Sequence, residues 1–258
     1  SLAGDGVDLI LDLQSGSEID GGGSASVLVN NAGTGATAVT TAGTIIGTRD
    51  TGEVSGIDGS GMIVRTGVRG SIGQLLASAG TDLTITQTAG SISGDWGLSA
   101  SNGGMGATTI TTAGNILGTN GLGVGVTNEL SATDLTINQL AGSISSGGGG
   151  IGAWNYGSGA TTITTGGDVV GTNAYGIWGG NDKTATDLTI TQTSGAISSG
   201  GIGIWADNDG TGATTITTSG VIASTGFYGI RAINGSIYNG VDQNSTSTDL
   251  TITQIAGS

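Results

Sequence analysis

Apolar and polar residues alternate with a period of two along this chain, in short runs separated by Ser- and Gly-rich corners. Residues 186–212, TDLTITQTSGAISSGGIGIWADNDGTG, show the unit. Leu188 and Ile190 fall on one face and Thr189 and Thr191 on the other, the pattern of a half-buried strand. After a Ser-Gly corner a second short strand centres on Ile197. Ser198-Ser199-Gly200-Gly201 then leads into a third, with Ile202, Ile204 and Ala206 on one face and Trp205 on the other. Three short strands closing in about 26 residues predict one coil of a parallel β-helix, whose next coil begins where this one ends.

The unit recurs in two alternating flavours. One opens D-L-T-I, at residues 82–85, 134–137, 187–190 and 249–252. The other reads G-A-T-T-I-T-T, at 106–112, 159–165 and 212–218, with a looser GATAVTT at 35–41. Superposed, the coils predict three inward columns. The first strand gives Val39, Ile85, Ile110, Ile137, Ile163, Ile190, Ile216 and Ile252. The second gives Ile45, Ile92, Ile116, Ile144, Val169, Ile197 and Ile222. The third gives Val27, Val64, Leu98, Val124, Ala153, Ile177, Ile204 and Ile230. Each buried Ile contributes about 1.5–3 kcal/mol relative to exposure, so stacked aliphatic layers sustain a thin cylinder. The expectation is an all-β solenoid of about nine coils, roughly 40 Å long at ~4.8 Å per coil. The pattern breaks near residues 48–80 and 235–247, which read as loop insertions at turns. Within the first, SIGQLLASAG has the Ile72, Leu75, Leu76 spacing of a short helix. The pattern runs to both ends without a polar cap, the expectation for one domain, residues 1–258, cut from a longer stack and able to pair end to end.

Composition narrows the chemistry. Aromatic residues make only 3% of the 258, which excludes a wide aromatic core, while 55 Gly and no Pro suit strands paired on both sides. Nineteen acids against five bases give a net charge of −14, the wrong sign for nucleic acid or an anionic membrane surface. No apolar run approaches the ~20 residues of a spanning helix. With no His and no Cys, the commonest general base, metal ligand and thiol chemistry are all missing. Ser1 opens a polar segment in which no signal peptide is visible.

The TTITTAGNILGTNGLGVGV and DLTITQTSGAISSGGIGIWA pattern resembles the repetitive passenger regions of bacterial autotransporters, the type V secreted surface proteins. The resemblance covers nearly the whole chain. It implies a right-handed, single-stranded parallel β-helix displayed on the surface of a Gram-negative cell as an adhesin, with a glycan or surface protein as partner.

Five arrays are candidates for chemistry. Coil alignment places Trp154, Trp178 and Trp205 at one outward position, at steps of 24 and 27 residues, with Arg231 following after 26; Leu28, Arg65, Ser99 and Gly125 precede them. Indoles ~4.8 Å apart with a guanidinium at the end would form a strip suited to sugar rings or a protein partner, with no cofactor. Outward pairs such as Thr84 and Thr86, Thr109 and Thr111, Thr162 and Thr164, and Thr189 and Thr191 resemble the T-x-T face of solenoid ice-binding proteins, interrupted at Asn138. Asn31, Asn102, Asn128, Asn181, Asn208 and Asn234 align after the third strand as a structural amide ladder. Asp82, Asp134, Asp187 and Asp249 recur every second coil, too far apart to share a metal, and read as partners of turn backbone. Asp182, Asp207 and Asp209 faintly resemble a calcium loop, without its closing Glu. A polysaccharide-degrading enzyme of this fold would need facing carboxylates ~5–9.5 Å apart with a flanking base; Lys183 is the sole lysine, and the chain reads as no enzyme.

Overall fold

A computed structural model describes residues 8–22, 25–48, 59–69, 75–76, 80–235, 237–238, 241–242 and 247–255. The period-two runs form three parallel sheets that wrap a solenoid, of nine, eight and eight strands. Typical neighbours in the first sheet are Thr161–Thr165 and Leu188–Gln192, paired residue for residue. Eight strands in the second and third sheets span seven coil-to-coil steps. About seven turns thus stand where about nine coils were expected, because Leu250–Gln254 has no described strand of the other two sheets after it.

The first two inward columns are as the sequence arranges them. Ile85, Ile110, Ile137, Ile163, Ile190 and Ile216 are fully buried and register-paired. Ile252 keeps the register of that column but is exposed, on the last described strand. In the second sheet Ile45, Ile92, Ile144 and Ile197 are fully buried, each aligned with its neighbour's equivalent. The third column needs correction. Val27 aligns with Met62, and Val124 with Ile151, so Met62 and Ile151 replace Val64 and Ala153, which point inward two residues later beside Val126 and Ala206. Residues two apart on a strand share a face, so either choice looks apolar and only the register distinguishes them. Among the described residues no aromatic side chain enters the buried core.

Polar side chains hold the corners. The ladder is longer than the sequence suggested: Asn155 belongs to it, and Thr66 fills the step between Asn31 and Asn102. Each Asn bonds turn backbone, as when Asn155 Nδ2 donates to Gly159 O at 3.1 Å and its Oδ1 accepts from Gly157 N at 2.9 Å. In the G-A-T-T coils a buried Thr replaces the inward Leu and donates to the ladder, Thr161 Oγ1 to Asn181 Oδ1 at 2.5 Å. The repeated Asp residues bond turn backbone one coil on: Asp82, Asp134 and Asp187 accept from the amides of Ala107, Ala160 and Ala213 at 2.9, 2.8 and 2.7 Å. Those carboxylates pack so tightly that a Cβ on Gly159 would collide with Asp134 Oδ1. The D-L-T-I coils at Asp82, Asp134 and Asp187 are each followed by a coil whose Gly-Ala receives the carboxylate.

The insertions differ from expectation. Leu75–Leu76 pairs antiparallel with Val68–Arg69 instead of starting a helix, which satisfies its backbone as a helix would, and a two-leucine run fits either period. Ile237–Tyr238 and Val241–Asp242 form a second antiparallel pair. Ile72 and residues 49–58 of the first predicted insertion lie outside the described residues.

Gly159→Ala is expected to lose about 1–3 kcal/mol of stability, as overpacking does, measured by urea unfolding; an unchanged midpoint would contradict the Asp134 contact.

Candidate functional site

The third sheet turns outward the residues between its core columns, and its strands Ile151–Asn155, Tyr175–Asn181 and Ile202–Asn208 carry the aromatic candidates. Trp178, Trp205 and Arg231 do share one register column. Trp154 does not: Gly152 is the partner of Trp178, and Trp154 is aligned with Gly180 and, one coil further, Asp207. The same shift of two places Ile63, buried, at the position assigned to Arg65. The 24-residue step from Trp154 to Trp178 is thus a diagonal, whereas true register steps here are 26 and 27, as from Asn155 to Asn181 to Asn208.

The rings still meet. Trp178 and Trp205 stack with centroids 4.9 Å apart and planes at 13°, and the Arg231 guanidinium lies 4.7 Å from the Trp205 ring centroid. Trp205 is therefore covered on both faces, by an indole and by a cation, and has no free face for a sugar. Trp154 meets Trp178 edge-on, at 5.1 Å and 81°, and Tyr175 does so at 5.3 Å and 75°. Missing side chains make the room. A Cβ on Gly152 would lie 2.5 Å from Trp154 Cη2, and one on Gly149 2.6 Å from the Tyr175 ring. Burial pushes the Tyr175 hydroxyl up to about 12. Trp96 extends the layer over Gly121, so all four tryptophans lie on this side. The repeat does not single out Trp96 or Tyr175: Trp96 precedes its third-sheet strand, and Tyr175 opens its own, aligned with Ile202 in a position that does not repeat in kind.

Gly180 is the centre of a three-by-three patch. One coil before it stand Gly152, Trp154 and Tyr156; beside it on its own coil are Trp178 and Asp182; one coil after are Trp205, Asp207 and Asp209. Tyr156, Asp182 and Asp209 are equivalent, since each backbone N–H donates to a ladder Asn carbonyl, at 3.0, 2.9 and 3.0 Å. With no side chain at the centre, a recess of about 150 Å³ opens between Trp154, Trp178 and Tyr156 on the aromatic side and the three carboxylates on the other. A second recess of about 180 Å³ lies between Tyr175, Ile202, Trp205 and the exposed Phe227.

Burial raises the Asp207 carboxyl above the usual range; Asp209 adds to this and Arg231 opposes it. Burial likewise raises Asp209, with Asp182 adding and Lys183 opposing. The Trp178 and Trp205 indole N–H groups are buried without a hydrogen-bond partner. Among the described residues no group of three or more His, Cys, Asp or Glu is placed to hold a metal ion. The Thr columns are also real: Thr84, Thr109, Thr136, Thr162, Thr189 and Thr215 align without interruption, and Asn138 interrupts the column beside them. No protein-family model, curated protein or solved structure matches the chain.

A carboxyl raised by the fold favours its protonated form there, so its charged form costs stability at neutral pH, a cost that shrinks as pH falls below the folded pKa and is gone below the ordinary carboxyl value. Asp209→Asn is accordingly expected to raise the thermal midpoint at pH 7 and to bring no gain once acid has protonated the parent side chain. A gain that persists in acid would contradict this.

Proposed function

We propose that this chain is an extracellular β-helical passenger segment, a rigid scaffold and adhesin that grips a glycan or surface protein through the aromatic face of its third sheet. The observation that carries this reading is the placement of the aromatic bulk. All four tryptophans lie outside the cylinder, three on strands of the third sheet and Trp96 on the same side just before one, in an aliphatic solenoid whose described core holds no ring. Large apolar side chains gathered around a recess, with polar groups on its rim, are what a binding face needs and what a bare scaffold does not. The interior is filled by stacked aliphatic side chains, so contacts are made by the outer surface. The resemblance to autotransporter passengers supports display outside a Gram-negative cell and a right-handed coil, the hand that parallel crossovers take in about 98% of cases.

Replacing Trp154, Trp178 and Trp205 together by Ala is expected to abolish most adhesion of the chain to cells or glycan-coated surfaces, with the β-sheet circular dichroism unchanged. Unaltered adhesion would remove the aromatic face as the site.

One observation favours a second reading, ice binding: the unbroken Thr column of the first sheet, repeating every ~4.8 Å on a parallel sheet. The adhesin reading expects no thermal hysteresis from the parent. Hysteresis in the parent that Thr189→Tyr destroys would transfer the function to the threonine face.

A further inference from the structure

We infer that the recess over Gly180 is a subsite for one uncharged pyranose ring, with Trp154 against the ring's apolar face and the Trp178 N–H and the Asp207 and Asp209 carboxylates on its hydroxyls. This rests on the glycan arm of the adhesin reading and gives it a place and a selectivity. Trp205 has both faces covered, by Trp178 and by Arg231, and Trp178 gives one face to Trp205 and is met by Trp154 and Tyr175 in T-shaped contacts. Trp154 is different. It stands at the edge of the aromatic cluster, half-buried, and borders Gly180, where a missing side chain leaves open space between flanking coils. The space over Gly152, the other glycine of the patch, is taken by the Trp154 ring itself.

The polar groups of the recess are of two kinds. Asp182, Asp207 and Asp209 accept hydrogen bonds, and Trp178 Nε1, 3.6 Å from where a Gly180 Cβ would be, donates and has no partner. The amides of Asn155 and Asn181 are occupied by ladder bonds, Asn181 Nδ2 donating to Asp187 O at 3.0 Å and Asn155 Nδ2 to Gly159 O at 3.1 Å. An unpaired buried donor costs about 1–3 kcal/mol, which a ligand acceptor would recover. A hydroxyl does both jobs at once, accepting from the indole N–H and donating to a carboxylate. A cation has no acceptor for the indole. An anion has no donor for the carboxylates and meets like charges. A pyranose offers several hydroxyls to the three carboxylates together with a C–H face for the indole. Selection against uronic and sialic acids follows from the same carboxylates and from the chain's net charge of −14.

The test follows the Trp178 indole N–H resonance of the full chain while methyl β-glucoside, mannoside, galactoside and N-acetylglucosaminide are titrated in turn, with methyl glucuronide as the acidic counterpart. At least one neutral glycoside is expected to shift that resonance saturably, and the glucuronide to bind roughly tenfold or more weakly. Gly180→Val is expected to abolish the shift. A Cβ at this position meets nothing nearer than 3.6 Å, so the fold should be kept. Asp209→Asn should narrow the gap between glucoside and glucuronide, which a merely structural role would not do. Glucuronide binding as tight as the glucoside, or parental binding by Gly180→Val, overturns the subsite and leaves aromatic-face adhesion standing. Adhesion to glycan-coated surfaces with no response to any glycoside overturns it too. A parent that adheres to nothing overturns the adhesin reading itself.

Discussion

Every inward side chain in this protein has to fit the equivalent side chain one coil away, at the ~4.8 Å that hydrogen bonding sets between neighbouring strands. Nothing else is wide enough to fill the cylinder, so the sequence must repeat itself in kind at each inward position. Ile110, Ile137, Ile163 and Ile190 are fully buried because each rests on the next. The same constraint acts on the polar corners, where Asn128, Asn155, Asn181 and Asn208 occupy one column and each bonds the turn it closes. It also acts between unlike coils. The carboxylate of Asp134 and the bare α-carbon of Gly159 belong to different coils and are each other's reason.

The outside of the coil is free of this constraint, and chemistry has room there. A change inside the cylinder disturbs two neighbouring coils, whereas an outward residue needs only that its neighbours leave it room, as Gly149 does for Tyr175. Trp154, Trp178 and Trp205 came to touch each other through that freedom, and glycines at 149, 152 and 180 keep space around them. The resulting face combines buried, unpartnered indole N–H groups with carboxyls that burial has made harder to ionise.

The solenoid was legible in the sequence because repetition is what stacking demands, and the Ile columns of the first two sheets could be numbered from period alone. The third strand was harder. Its two inward positions are both apolar, and three tryptophans at steps of 24 and 27 imitate a column. The ladder residue Asn155, 26 before Asn181, carries the correct register. That step sets Trp154 beside Gly180 and opens the recess. Tyr175 and Trp96 were invisible as site residues because their positions do not repeat in kind. The antiparallel pairing of Leu75–Leu76 escaped for a different reason: two leucines and an isoleucine outside the repeat fit a helix or a strand equally.

Register can be measured directly, since the chain has no cysteine of its own. Aligned residues on neighbouring parallel strands have α-carbons ~4.8 Å apart, within the range that a disulfide spans, and diagonal ones two residues off are ~8 Å apart and outside it. Trp154→Cys with Gly180→Cys should close a disulfide on mild oxidation, seen by mass spectrometry of the digest, and Trp154→Cys with Trp178→Cys should not. The opposite pattern would mean that the coils stack two residues out of step with the pairing of Asn155 and Asn181, and the recess over Gly180 would not exist.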